Sequence, residues 1–222
     1  MEKMPYLREM DRARARLNVQ PTTESPVGTA DWKSGLPVLT GSRVILRELR
    51  VSDAPSLFAM VTSDEVARFI SPPPMTNEGF ERFIMWVTRE RAAGNHACFA
   101  IVPQGMDTAV GLFQARQLEP GWRTAEWGFV LGSAYWGTGI FSEASQMVLE
   151  FVFETIGVHR LEARSAVENG RGNGAIRKVG AVQEGILRRS FLRDGQYMDQ
   201  ALWAILAEDW RARVSVPSPV VH

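Results

Sequence analysis

Apolar residues recur along this chain at two spacings, and the change from one to the other marks out most of its elements. Arg43-Val-Ile-Leu-Arg-Glu-Leu49 is a short apolar run of strand character. Ser52 and Asp53 are helix-capping types. Behind them Ala54, Leu57, Phe58 and Val61 fall at i, i+3, i+4 and i+7, which predicts a helix. Ser71-Pro72-Pro73-Pro74 breaks the chain. A second helix is predicted from a cap near Thr76 or Asn77, with Phe80, Phe83, Ile84 and Val87 on one face and Gly94 at its end. Three strands follow, Cys98–Val102, Ala109–Leu118 and Ala125–Leu131, separated by turn signals at Pro103-Gln-Gly105 and Glu119-Pro120-Gly121. A glycine-bearing turn then leads into a helix from Ser142, where Ala144, Val148, Phe151 and Val152 make one apolar face. Arg160–Val167 reads as a strand and is followed by a Gly/Asn loop and a short helix ending at Gly180. Strands at about Glu184–Leu192 and Tyr197–Leu206 flank the hairpin turn Arg193-Asp194-Gly195-Gln196.

No fixed-period repeat is visible, which excludes solenoids and propellers. An early helix pair, an antiparallel meander and one strand–helix–strand unit predict a single α/β domain on a mixed sheet. Its expected bounds are residues 37–212. Ahead of it, residues 1–36 read as an extension, with a charged helix over Met4–Val19 and a linker rich in Thr, Ser, Pro and Gly. Residues 213–222 read as a tail.

Composition narrows the function classes. The 222 residues are 45% hydrophobic and 23% charged, the balance of a soluble globular protein. Lys+Arg and Asp+Glu both number 25, so bulk charge gives no support for a nucleic-acid partner. Cys98 is the single cysteine, and His96, His159 and His222 share no ligand spacing, so no disulfide and no metal site is expected. No apolar run approaches a membrane span, and a cytoplasmic protein is the expectation.

Chemistry concentrates in Tyr135-Trp136-Gly137-Thr138-Gly139-Ile140-Phe141-Ser142-Glu143-Ala144, between a strand and a helix start. Unpaired N–H groups and the helix dipole favour an anion there. Glycines allow close backbone approach, and Ser142 adds a hydroxyl. A tight turn with packing glycines is the other reading of the segment. The dinucleotide fingerprint G-x-G-x-x-G fits poorly, because Ser142 takes its third glycine and Gly132–Tyr135 separate strand from turn.

The same residues carry a more specific likeness. Trp136–Phe141 resembles the pyrophosphate loop of the GNAT N-acetyltransferases, with Gly139 at its central glycine. The Tyr-Trp-Gly-x-Gly wording is that of the RimJ/RimL-like branch of ribosomal-protein acetyltransferases. Ala125-Glu126-Trp127-Gly128-Phe129 is similar to the branch's preceding strand, and the segment from Asn169 through Lys178 to Gly180 is similar to its Asn-x-x-Ser … Lys-x-Gly segment. Gln183-Glu-Gly185 and Asp194-Gly195 … Asp199 continue in order, so the resemblance covers about residues 39–210. There are two departures. Phe141 replaces a small residue, and Gly172 and Ile176 stand where Ser or Tyr usually protonates the departing thiolate.

The resemblance implies a mixed, mostly antiparallel sheet with helices on both faces and a parallel, splayed strand pair at 125–131 and 160–167. It implies acetyl-CoA as co-substrate and an amine acceptor, with no metal. The cofactor would lie on Phe129, Val130 and Leu131, on Trp136, Gly137, Thr138, Gly139, Ile140, Phe141 and Ser142, and on Asn169 and Lys178. An N–H near Val130 would hold the oxyanion. Arg171 and Arg177 are further phosphate candidates, and solvated helix positions explain them equally. Glu126 is the candidate base, with a structural strand carboxylate as the alternative, and Tyr197 is a substitute acid. Deprotonating an α-amine at pH 7 costs roughly 1.4 kcal/mol against roughly 4.6 for Lys, so a thin base inventory favours a protein or peptide N-terminus. Small amines, such as a polyamine, amino acid or antibiotic, are the alternative acceptors. A non-catalytic acyl-CoA-binding module is the alternative function, and a homodimer stays open.

Overall fold

The computed structural model describes residues 31–215. The helix expected over Met4–Val19, most of the linker and most of the C-terminal tail lie outside the described residues. The strands are β1 (Leu39–Thr40), β2 (Val44–Glu48), β3 (His96–Pro103), β4 (Gly111–Gln117), β5 (Thr124–Leu131), β6 (Arg160–Ala166), β7 (Val182–Arg193) and β8 (Gln196–Leu206). They form one sheet in the order β1-β2-β3-β4-β5-β6-β8-β7, antiparallel throughout except between β5 and β6. Among the described residues six α-helices accompany them: α1 (Ala54–Val61), α2 (Asp64–Ala67), α3 (Asn77–Ala92), α4 (Ile140–Glu150), α5 (Gly170–Lys178) and α6 (Ala207–Ser215). A π-helical turn, Phe151–Ile156, extends α4.

Period-two side chains on the central strands feed two cores. In β3, Ala97, Phe99 and Ile101 face α4 and its π turn, while Cys98, Ala100 and Val102 face α1 and α3. Burial pushes the Cys98 thiol up, which makes it an inert core residue. Thr76 caps α3 by accepting from Gly79 N–H at 3.0 Å. The β7–β8 turn places Asp194 and Gly195 at φ 48° and 78°, as a two-residue hairpin of type I′ demands.

Two local expectations are corrected. Asp53 does not cap α1. Its carboxylate instead accepts Arg47 Nη1 and Nη2, each at 2.8 Å, and the Arg50 N–H at 2.8 Å, because the buried guanidinium of Arg47 needs a counter-charge. Trp32 and Leu36 lie in the α4-side core, with Trp32 edge-on to Trp122 and Phe151. The packed unit therefore starts ahead of residue 37.

Candidate active site

Strands β5 and β6 pair only at Thr124–Arg160, Ala125–Leu161 and Glu126–Glu162. Beyond that point β5 stays on β4 as far as Leu131, while β6 stays on β8 as far as Ala166, so the two strands part. The hydrogen bonds at their ends fix which backbone groups face the opening. Leu118 N–H donates to Thr124 C=O and Gly132 N–H to Val110 C=O, so even-numbered β5 residues turn toward β4. Arg123 C=O accepts from His159 and Arg160, so odd-numbered residues turn toward β6. Past Glu126 no strand meets them there, and Phe129 and Leu131 present their backbone groups to the gap. Val130 turns its backbone groups toward β4. Leu131 C=O already accepts Trp136 Nε1–H at 2.9 Å.

The loop after β5 is built for close approach. Gly137 and Gly139 take φ values of 76° and 89°, which glycine alone adopts without strain, and nothing lies within 4 Å of the position a Gly137 side chain would fill. Gly139 is the N-cap of α4. The first intrahelical bond runs from Glu143 N–H to Gly139 C=O, which leaves the N–H groups of Ile140, Phe141 and Ser142 at an open helix start. The Phe141 ring lies on the sheet, 4.6 Å from Phe129 and 5.7 Å from Phe113 between centroids, so its bulk leaves the loop's outer surface clear. Thr138 Oγ1 donates back to Tyr135 C=O at 2.7 Å. A pyrophosphate fits this loop: the donors point outward, the glycines admit it, and a cation lies alongside.

That cation is Arg43, whose Nη1 donates to Thr138 C=O at 3.4 Å. Glu143 anchors it by accepting from the Arg43 N–H at 2.8 Å and from Ser42 N–H and Oγ at 2.6 and 2.8 Å. Arg43 escapes a local reading of the sequence because 95 residues separate it from Thr138. On the opposite side of the opening, the guanidinium of Arg171 stacks 4.0 Å over the Trp136 ring. Asn169 spends its side-chain oxygen capping α5, accepting from Gly172 N–H at 2.9 Å, and Lys178 is exposed in the last turn.

A cavity of about 380 Å³ runs from the Pro72–Pro74 segment and the aromatic face of α3, across β3–β5, to the far side of the gap. Glu126, Phe129 and Val130 line it. Leu131, the 136–142 loop, Asn169, Lys178 and Tyr197 do not. Tyr197 is 64% exposed beside the β7–β8 turn, where it pairs with Leu192. Trp127 forms part of the wall, whereas Trp122 is buried against Trp32.

Glu126 anchors a row of alternating charges on the sheet. Its carboxylate accepts from Arg116 and lies 3.7 Å from Arg164. Arg164 approaches Glu162 at 3.9 Å, and Arg160 bonds both Glu162 and Glu184. His96 stands opposite Arg116 on β3. Burial first, then the positive charge of Arg116, pushes its imidazole down to about 4 against a hydrogen bond with Gln114, so it is neutral at pH 7. His96 lines the cavity together with Gln114, Ser165 and Gln200, three residues that no motif in the sequence singles out. Among the described residues no group of three or more His, Cys, Asp or Glu is placed to hold a metal ion. No helix there is long and apolar enough to cross a membrane.

Comparison with known proteins agrees with this geometry. Residues 43–182 match the family model described as an acetyltransferase (GNAT) domain. An uncharacterized N-acetyltransferase of Bacillus subtilis, YnaD, is 25% identical over 172 residues, covering 78% of this chain and 98% of its own. The Escherichia coli [ribosomal protein uS5]-alanine N-acetyltransferase is 29% identical over 83 residues, 37% of this chain and 43% of its own. Among solved structures, Mycobacterium smegmatis RimJ in complex with CoA-disulfide superposes with a TM-score of 0.67 at 26% identity, over 75% of this chain and 83% of that one.

Proposed function

We propose, from the premise that this chain belongs to the GNAT acetyltransferase family and is an N-acetyltransferase, that its acceptor is the α-amine at the N-terminus of a protein or peptide. The observation that carries the choice is the cavity's base inventory. Glu126 is the carboxylate on its wall, and it is already engaged by Arg116 and Arg164. A carboxylate so engaged suits the amine that is cheapest to deprotonate. The name of the Escherichia coli relative supports the same choice. An alanine side chain has no nitrogen, so an alanine within a protein is acetylated on its α-amine.

Acetyl-CoA supplies the activated acyl group. In this reading the open start of α4, with Gly137, Gly139 and Arg43, holds the pyrophosphate, and the gap-facing backbone of Phe129 and Leu131 aligns the pantetheine arm. One of those N–H groups polarises the thioester carbonyl and receives the oxyanion, an electrostatic contribution of several kcal/mol in such sites. Glu126, directly or through a water, takes the proton that the attacking nitrogen sheds. The aromatic side of the cavity, with Phe83, Trp86 and Trp127, excludes bulk water from the acceptor. The test is thiol release at pH 7 with three acceptors: a lysine-free peptide with a free N-terminus, an N-terminally blocked peptide with one Lys, and spermidine. The free α-amine is expected to react at least about tenfold faster. Equal rates with Lys or spermidine would remove the preference.

A further inference from the structure

Four buried side-chain polar atoms among the described residues lack a hydrogen-bond partner, and three of them, His96 Nε2, Trp127 Nε1 and Ser165 Oγ, belong to residues on the cavity wall. Ser165 is the one carried by β6. It lies three residues beyond Glu162, the last β6 residue paired with β5, and therefore in the opened part of the gap. Strand alternation puts it on the same face as Leu161 and Ala163, the face toward Ile176 of α5. Asn173 holds α5 over this end of β6, donating to Ala166 C=O at 2.8 Å and accepting Trp203 Nε1–H at 2.9 Å. From α5 the cavity receives Gly172 and Ile176, neither of which has a side-chain donor.

The immediate surroundings sharpen the point. Ser165 is 6% exposed, its same-face strand neighbour Ala163 is a buried alanine, and so is its cross-strand partner Ala201. A buried hydroxyl without a partner costs stability that an alanine there would not. Packing alone therefore does not account for a serine in this alanine-lined position, and a hydroxyl left unpaired at a gap is available to whatever enters it.

We propose that Ser165 is the catalytic hydroxyl facing the CoA sulfur, in place of the group that α5 leaves out. The nitrogen lone pair forms the C–N bond, the C–S pair returns to sulfur, and Ser165 Oγ–H donates a hydrogen bond to the thiolate as its charge develops. The hydroxyl keeps its proton, because an alcohol is a far weaker acid than a thiol. The nitrogen's proton goes to Glu126 or water, and the thiolate is protonated by solvent after release. The inference rests on the family's acetyl transfer and not on the choice of acceptor.

Three measurements on Ser165→Ala test it. With the best acceptor, kcat is expected to fall about 10- to 100-fold, the size of one hydrogen bond to a charged group, while KM for acetyl-CoA changes little. Calorimetric titration with CoA itself needs no acceptor. Wild-type affinity is expected to rise with pH between the ionisation of the bound thiol and the higher value at which free CoA ionises, and the variant is expected to lose that rise. Its Tm is expected to hold or increase, since an unpaired hydroxyl has gone. Matching pH dependence of CoA affinity in the two proteins would overturn the assignment, as would an unchanged kcat or a variant that melts several degrees lower or fails to fold. Failure of every peptide acceptor would count against the N-terminal acceptor alone and leave the CoA titration to decide on Ser165.

Discussion

His96 makes the protein sensitive to acid through a group that carries no charge at neutral pH. Its imidazole is buried against Trp86, with ring centroids 5.3 Å apart, and is held at about 4 in the folded chain. In the unfolded chain it titrates near 6.5. Between those two values the unfolded state binds a proton that the folded state refuses. Stability is therefore full above about 6.5 and declines as pH falls toward 4, by up to about 1.4 kcal/mol per pH unit. At pH 5 the two values give a loss of about 2 kcal/mol from this group, or about 4–8 °C in Tm for a chain of this size.

The perturbation is His96→Gln, which cannot take up the proton. Urea unfolding of both proteins from pH 4.5 to 8 isolates the effect as the difference between two curves, so the fixed cost of the substitution cancels. The variant is expected to gain about 2 kcal/mol relative to wild type between pH 8 and 5. Parallel curves would refute the reasoning, since they would mean that the imidazole charges as readily inside as outside. The same argument predicts that the pH–rate profile has no limb near 6.5 from His96, and that its role in the cavity is that of a neutral wall.

Three further substitutions follow from the contacts described. Asp53→Ala strands the buried Arg47 guanidinium and is expected to cost about 3–5 kcal/mol by urea unfolding; a loss under about 1 kcal/mol would mean that water reaches Arg47. Burial alone would push the Asp53 carboxyl up, but Arg47 and the Arg50 N–H hold it below the usual range, so this stability is present above about pH 3.9 and lost as pH falls further. Glu126→Gln is expected to lower kcat about 10²- to 10⁴-fold with little change in acetyl-CoA affinity, and activity within threefold of wild type would restrict Glu126 to a structural role. Gly139→Ala imposes a side chain at φ 89° and 2.5 Å from Arg43 Nη1; a strain of about 1–3 kcal/mol and weaker acetyl-CoA binding are expected, and unchanged binding by calorimetry would detach the loop from the pyrophosphate.

What could be read from the sequence was whatever depends on neighbours along the chain. The i, i+3, i+4 spacing of Phe80, Phe83, Ile84 and Val87 and the Thr76 cap gave α3 within its own segment, and Asp194-Gly195 gave the hairpin. The parting of β5 and β6 came from the resemblance, because no local pattern marks where two parallel strands stop pairing. Asp53 shows the limit of local rules. By residue type it is a helix cap, yet a buried Arg47 six residues earlier claims its carboxylate. Arg43, just ahead of β2, and Arg116 and Arg164, on β4 and β6, are ordinary residues in the sequence until the fold brings the first to the glycine loop and the other two to Glu126.

The two departures from the family pattern show why a site is better judged by its geometry than by its motif. Phe141 looks like an obstruction in the loop, but its side chain turns onto Phe113 and Phe129 and leaves the glycines clear. Tyr197 looks like a spare acid in the sequence, but the hairpin carries it outward, 64% exposed. Gly172 and Ile176, the residues that α5 presents to the cavity, have no side-chain donor. The hydroxyl facing the same space comes instead from β6, the other wall of the gap, where Ser165 stands among alanines. A thiolate needs a donor within reach, and its position in the chain is immaterial. A motif scan along α5 would score the site as impaired, while the cavity retains a donor at the place where charge develops.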